Sequence, residues 1–295
     1  MKKKRRILVA ADLTNGRDAA FDRGLALARA SGAEVYLLHA VPANQPFSIG
    51  ATERLRRTAE FRERAERMGV TLQAVEQHGD PAEIIELHAN ARDVDLIVMG
   101  AERHQKPRWL RRASITERVL RRSKQPTLVV PSTDDASSDF ENVLVAVDLS
   151  PESKTVVEHA TQLAGGDSPR LTVVHAVKSI EAAEAVQTHA RWIVPEYRTH
   201  LLDDARRELE SVLHDVPTPA DTRVQLATGS VPNAIADEAG AIDADLIVIG
   251  RSDRFRPLGR TALRLLRDEE RALLVVPVTD GIRAAVDRRE YPPAA

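Results

Sequence analysis

The property that most restricts how this chain can fold is that it repeats itself. "RILVAADLT" (6–14) returns as "NVLVAVDLS" (142–150), and "VYLLHAV" (35–41) returns as "LTVVHAV" (171–177), both displaced by 136 positions. "GDPAEIIELHANARDVDLIVMG" (79–100) returns as "GSVPNAIADEAGAIDADLIVIG" (229–250), displaced by 150, with 10 of 22 positions identical. The late runs "TLVVP" (127–131) and "LLVVP" (273–277) are displaced by 146. One unit therefore occurs twice, with 14 residues added inside the second copy and 4 lost after Gly250. Each copy must close a core by itself at a length of about 150 residues. The pattern predicts domains at 1–133 and 142–278, a linker over 134–141 within the acidic, serine-rich "PSTDDASSDFEN", and a tail at 279–295 with little core.

Within each copy, short aliphatic runs alternate with helical patterns. Strands are expected at 6–11, 34–40, 71–77, 95–99 and 127–130, and again at 142–147, 170–176, 222–227, 245–249 and 273–276. These runs are continuous in Val, Ile and Leu rather than alternating, which is the mark of strands covered on both faces, hence of a parallel sheet between helices. Helix starts are marked by Asp80 before Pro81 and Glu83, and by Ser150 before Pro151. The fold class predicted is α/β: two tandem doubly wound domains, each with a five-stranded parallel sheet. The residues added in the second copy, "SIEAAEAVQTHARWIVPEYRTH", are expected to lengthen the helical region between its second and third strands. "ERLRRTAEFRERAERM" (53–68) interleaves Glu and Arg at helical spacing, as a solvent-facing helix does.

Composition narrows the chemistry. Hydrophobic residues make up 43% and aromatics only 3%, so the core is aliphatic, and the absence of cysteine excludes disulfides, thiolate catalysis and cysteine-held metals. Nine histidines form no ligand-like cluster. The basic start "MKKKRRILVAADL" imitates a secretion signal, but its apolar run stops at Asp12, and no run approaches the ~18 residues of a membrane span. A cytoplasmic protein without membrane contact is expected. A net charge of −2 argues against a dedicated nucleic-acid binder. Residues 1–136 carry 24 basic against 18 acidic side chains, and the remainder 18 against 26. The opposite signs either help the halves associate or reflect compositional drift.

Four landmarks occur in the same order in both copies. They are a first strand ending in Val-Ala-x-Asp followed by Leu-Thr or Leu-Ser, a second ending in His-Ala-Val, "DLIV" before Gly100 or Gly250, and a closing "LVVP". The ordered set resembles the universal stress protein family, over nearly the whole chain and twice, which implies a tandem universal stress protein with an adenine-nucleotide α-hydrolase-like fold. In nucleotide-binding members the loop after the fourth strand reads G-x2-G-x9-G-[ST]. Glycines there let backbone N–H groups approach phosphates, and the helix that follows adds donors and a favourable dipole. The first copy keeps Gly100 and Ser114 at full spacing but has Arg103 and Ala113 at the other two positions. The second keeps Gly250 and Gly259 but has Asp253 and Arg260, in a loop four residues shorter. By the same resemblance Asp12 and Val41, with counterparts Asp148 and Val177, line the adenine and ribose side of the pocket. The other reading of Asp12 and Asp148 is that each organises the turn that follows it.

Two function classes follow. One is a non-enzymatic stress protein acting through interactions, with degenerate nucleotide sites; its alternative is a stress protein that binds ATP or AMP weakly in the first copy, with or without weak ATPase activity. No cofactor and no metal is firmly expected, and the protein partner is unknown. The other is an enzyme of the related adenylyltransferase or pyrophosphatase type. Its His-x-Gly-His or Ser-Gly-Gly-x-Asp-Ser loop is missing where this chain reads "DLTNGRD" and "DLSPESK". The basic loops, with Arg108 and Arg254 among their cations, either hold an oxyanion or keep a loop solvated, and Trp109 alone is weak support for nucleic acid. His39 and His175 have no nucleophile beside them in the pattern and are read as packing or capping groups. In single-domain relatives dimers commonly use the fifth strand, so the resemblance implies an intramolecular pseudo-dimer through 127–130 and 273–276.

Overall fold

The aliphatic runs form ten strands: β1 (Arg6–Ala10), β2 (Glu34–Val41), β3 (Leu72–His78), β4 (Leu96–Gly100), β5 (Thr127–Val130), β6 (Asn142–Val147), β7 (Arg170–Val177), β8 (Asp221–Thr228), β9 (Leu246–Ser252) and β10 (Ala272–Val278). Between them lie α1 (Ala19–Ser31), α2 (Ala51–Arg67), α3 (Pro81–Ala91), α4 (Ile115–Arg122), α5 (Ser153–Leu163), α6 (Val194–His214), α7 (Val231–Ala241) and α8 (Arg260–Asp268). The computed structural model describes residues 4–13, 18–42, 50–101, 113–177, 194–252, 258–268 and 270–278. Arg103, Asp253, Trp109, Arg108 and Arg254 of the sequence reading, and the tail 279–295, lie outside the described residues.

The first compact unit comprises Met1–Asp139 together with Leu266–Val275. Its parallel strands run in the order β3-β2-β1-β4-β5. Also in this unit, β10 pairs antiparallel with β5, with Leu273 opposite Val129. The chain winds outward from β1 to β3 and then returns to β4, and right-handed crossovers place α1 and α2 on one face and α3 and α4 on the other. On the first face Phe21 of α1 packs against Phe61 of α2, ring centroids 4.2 Å apart. On the second, Arg122 of α4 bonds Glu86 of α3 at 2.8 Å. Leu8, Leu38, Ile97 and Leu128 are fully buried between the layers. The second unit, Phe140–Leu265 with Val276–Ala295, repeats the arrangement as β8-β7-β6-β9, all parallel, around Leu144 and Leu171. These are two tandem doubly wound α/β domains, as the alternation of runs predicts.

Local chemistry accounts for the boundaries. Asp80 caps α3 by accepting from the Glu83 amide at 3.1 Å, as its place before Pro81 implies. Helix α2 buries only Phe61 and Ala65 and carries the Glu53–Arg56 and Glu53–Arg57 pairs, which is the solvated face its charges predict. Helix α6 spans 21 residues against 17 for α2, so part of the added sequence is helical. One expected start is displaced. Helix α5 begins at Ser153 rather than next to Ser150, because residues 148–152 form a turn held by Asp148.

The stretch 134–141 is anchored rather than loose. Arg23, on α1 and 3% exposed, donates to both carboxylate oxygens of Asp134 at 2.8 and 3.0 Å and to the carbonyls of Asp135 and Ser138. Phe140 is 2% exposed. A buried charge that spends its donors in this way is a structural clamp. Sequence reading missed it, although an arginine within the apolar run "AAFDRGLALARA" was a visible signal.

Candidate nucleotide site

In the first unit, the ends of β1 and β4 lie side by side, Ala10 opposite Met99, at the point where the winding reverses. Ligands of doubly wound sheets bind outside such a crevice. The topology brings four sequence-predicted residues to this edge: Asp12 just beyond β1, Val41 at the end of β2, Gly100 at the end of β4, and Ser114 at the start of α4. Asp12 is exposed and Val41 buried. Val41 is the last residue of β2 rather than the residue after it, and its carbonyl accepts from the Gly79 amide at 2.9 Å.

The loop that presents Asp12 is held by unusual backbone. Leu13 has φ 57°, a left-handed conformation that a leucine adopts at a cost of about 1–2 kcal/mol. Several contacts fix it. His39 Nδ1 lies 2.9 Å from the Ala11 carbonyl, and since a carbonyl can only accept, the imidazole carries its proton on Nδ1. Arg57 donates to the Leu13 carbonyl at 2.8 Å, and the Leu13 side chain is 2% exposed. Asp18 caps α1 by accepting from the Phe21 amide at 3.0 Å. Burial pushes its carboxyl above the usual range, the Phe21 bond opposes this, and the charge of Asp12 adds to it.

Gly100 and Ser114 complete the edge. A Cβ built on Gly100 would meet no described residue within 4 Å, and Gly100 is exposed. Its carbonyl accepts from the Thr116 hydroxyl at 3.3 Å. Ser114 is 6% exposed, and its hydroxyl caps α4 by accepting from the Glu117 amide at 3.0 Å. That bond uses a lone pair and leaves the hydroxyl proton for another acceptor. Ala113, next to Ser114, is exposed. Glu117, 2% exposed and not singled out from the sequence, accepts from Arg267 at 2.6 Å within the first unit.

The second unit repeats the scaffold and alters the site. His175 Nδ1 lies 2.9 Å from the Val147 carbonyl, and Leu149 has φ 62°. Both histidines therefore hold the end of a first strand, as the sequence reading proposes. Asp148 Oδ1 accepts from the Ser150 amide at 3.1 Å and the Ser153 hydroxyl at 3.4 Å, so here the turn-organising reading has a structural basis. Val177 ends β7 and is half-buried. The largest departure is at Gly250. Strand β9 continues through it to Ser252, whereas β4 stops at Gly100, and a Cβ on Gly250 would lie 3.1 Å from Val156 Cγ2. Gly250 is exposed, as Gly100 is, but it lies inside a strand rather than at the start of a loop, and a side chain there would crowd Val156. Gly259 precedes α8 and accepts from the Leu263 amide at 3.0 Å through its carbonyl, and Arg260, exposed, stands where Ser114 stands in the first unit.

No group of three or more His, Asp or Glu side chains is placed to hold a metal among the described residues. Nor, among them, is any helix long and apolar enough to cross a membrane.

A doubly wound domain in duplicate, with an aspartate after β1 and a glycine-ended β4 at the switch point, belongs to the class of α/β folds whose ligands bind at that crevice. The universal stress protein family model matches residues 4–131 and 139–277, and the chain belongs to that family. It is 29% identical over 111 residues to universal stress protein A homolog 1 of Coxiella burnetii, covering 38% of this chain and 76% of that one. It is 23% identical over 142 residues to universal stress protein A of Escherichia coli, covering 48% of this chain and 96% of that one. Among solved structures, a universal stress protein from Archaeoglobus fulgidus superposes with a TM-score of 0.68 at 19% identity, covering 94% of this chain and 97% of the other. A protein of unknown function from Pseudomonas aeruginosa gives 0.70 at 18% identity, covering 97% and 96%. At these identities the structures establish the fold, in tandem form.

Proposed function

We propose that this chain is a non-enzymatic, cytoplasmic stress-response protein that acts through interactions, with one weak adenine-nucleotide site in its first repeat and none in its second. Family membership supports the stress-response role. The asymmetry rests on one observation: β4 ends at Gly100, where no described residue lies within 4 Å of a built Cβ, while β9 runs on past Gly250 to Ser252 and a Cβ at Gly250 would crowd Val156. In the first repeat Asp12, Val41, Gly100 and Ser114, with Arg103, would receive ATP or AMP. In the second, Asp148 is engaged by its own turn, and Arg260 replaces the hydroxyl.

The site is weak because Arg103 takes the place of a glycine that would give phosphate access to backbone amides. Each missing charge-assisted bond costs about 1.5–3 kcal/mol, or roughly tenfold or more in affinity. Ala113 adds only a methyl group where the motif has glycine, and contributes less to that loss. Arg103→Gly should therefore tighten ATP binding about tenfold, and Ala113→Gly should change it little. Titration calorimetry on both variants decides this, and weaker binding by Arg103→Gly would contradict it.

The two repeats are further proposed to form an intramolecular pseudo-dimer through β5 and β10. The support is the apolar composition of both strands, whose edges would otherwise invite aggregation. Val129→Asp should expose apolar surface and promote aggregation, read by light scattering. A monodisperse variant of unchanged stability would contradict the arrangement.

A further inference from the structure

The two repeats diverge sharply at the end of the sheet opposite the candidate nucleotide site. In the first repeat this corner is filled and electrically satisfied. Arg6 pairs with Glu34 at 3.0 Å, the Tyr36 hydroxyl donates to Glu34 at 2.9 Å, Arg6 donates to the Arg92 carbonyl at 2.7 Å, and the Arg92 guanidinium lies 5.3 Å from the centroid of the Tyr36 ring. At the matching positions the second repeat has Asn142 for Arg6, Arg170 for Glu34, Thr172 for Tyr36 and Ile242 for Arg92. Three large groups are replaced by smaller ones and the single carboxylate by a guanidinium. What remains is a cavity of about 260 Å³ bordered by Asn142, Arg170, Thr172, Asp221, Arg223 and Ile242.

The charge of this lining is unbalanced. Asp221 is its one acid, and it pairs with Arg223 at 3.1 Å. Arg170 makes no ion pair among the described residues and is exposed. A guanidinium presents a fork of donors that fits carboxylate or phosphate oxygens two at a time. Thr172, 8% exposed, and Asn142 supply a hydroxyl and an amide suited to hydroxyl groups, and Ile242 supplies an apolar side. The volume suits a molecule of a few carbons. We propose that this cavity in the second repeat is a binding site for a small oxyanion on a short hydroxylated carbon chain, with Arg170 as its principal anchor. The second repeat thereby holds its ligand at the end of the sheet remote from Asp148 and Gly250.

The full-length chain would be titrated with malate and with glycerol 3-phosphate, by calorimetry and by amide chemical-shift mapping. Saturable binding of either compound is expected, with shifts centred on Asn142, Arg170 and Thr172, and the stronger of the two identifies the oxyanion as carboxylate or phosphate. Arg170→Glu restores the first repeat's charge and should weaken binding about tenfold or more. Thr172→Tyr restores its ring and should exclude the ligand by volume. Because Arg170 is exposed, Arg170→Glu tests charge without disturbing the core, whichever way Thr172→Tyr folds. No saturable binding of either compound at millimolar concentration overturns the proposal, as does binding that Arg170→Glu leaves unchanged.

Discussion

The imidazole Nδ1 of His39 lies 2.9 Å from the carbonyl oxygen of Ala11 and so ties the end of β2 to the end of β1, one residue before Asp12. His175 and Val147 reproduce the bond at the same distance. A pair conserved between two copies that have lost so much else is part of the scaffold on which the crevice is built. His39→Ala and His175→Ala should each cost about 1 kcal/mol, the worth of one hydrogen bond. Urea unfolding monitored by circular dichroism measures this, and a stabilised variant would contradict the assigned role.

The clamp at Arg23 should be worth considerably more. Removing one partner of a buried ion pair strands the other charge, at a typical cost of about 3–5 kcal/mol, whereas replacing both with apolar groups is often neutral. Asp134 retains only 8% side-chain exposure. Arg23→Ala is therefore expected to destabilise the chain strongly, and Arg23→Met combined with Asp134→Leu to recover much of the loss. A double variant no better than the single one would show that the bonds to the Asp135 and Ser138 carbonyls dominate instead.

Opposing terms act at the two left-handed leucines. Glycine would relieve about 1–2 kcal/mol of backbone strain at either position, but a fully buried leucine side chain contributes about 1.5–3 kcal/mol. Leu13 is 2% exposed, so Leu13→Gly should destabilise. Leu149 is half-buried, and Leu149→Gly should be close to neutral. Equilibrium unfolding of both variants tests this ordering, and its reversal would refute the balance.

Asp18 gives the chain a specific pH dependence. Its folded-state carboxyl titrates above the usual range, chiefly through burial. As pH rises past the ordinary aspartate pKa of about 4, the unfolded chain releases this proton before the folded chain does, so stability falls until the folded group has also ionised. Asparagine keeps the cap without the charge. Asp18→Asn should raise the thermal midpoint at pH 7, with the advantage vanishing below the ordinary aspartate pKa. An advantage that grows toward low pH would contradict the assignment.

The fold was legible because strand burial on both faces writes continuous Val, Ile and Leu runs, and because duplication presents each signal twice. Asp80 was legible as a cap for the same local reason. What could not be read were features that depend on three-dimensional neighbours. "DLT" and "DLS" do not disclose a leucine at positive φ, since leucine carries no preference for it. Gly100 and Gly250 look identical in "DLIVMG" and "DLIVIG", yet one ends its strand and the other lies inside a longer one, where a Cβ would crowd Val156. Arg23 in an apolar run was visible, but its partners lie more than a hundred residues away.

The central claim is the asymmetry between the repeats, and calorimetry of ATP with the intact protein and with Asp12→Ala and Asp148→Ala tests it most directly. The account predicts a single site in the high micromolar range or weaker, abolished by Asp12→Ala and unaffected by Asp148→Ala. Two equivalent sites, submicromolar affinity, or a site lost only in Asp148→Ala would contradict it.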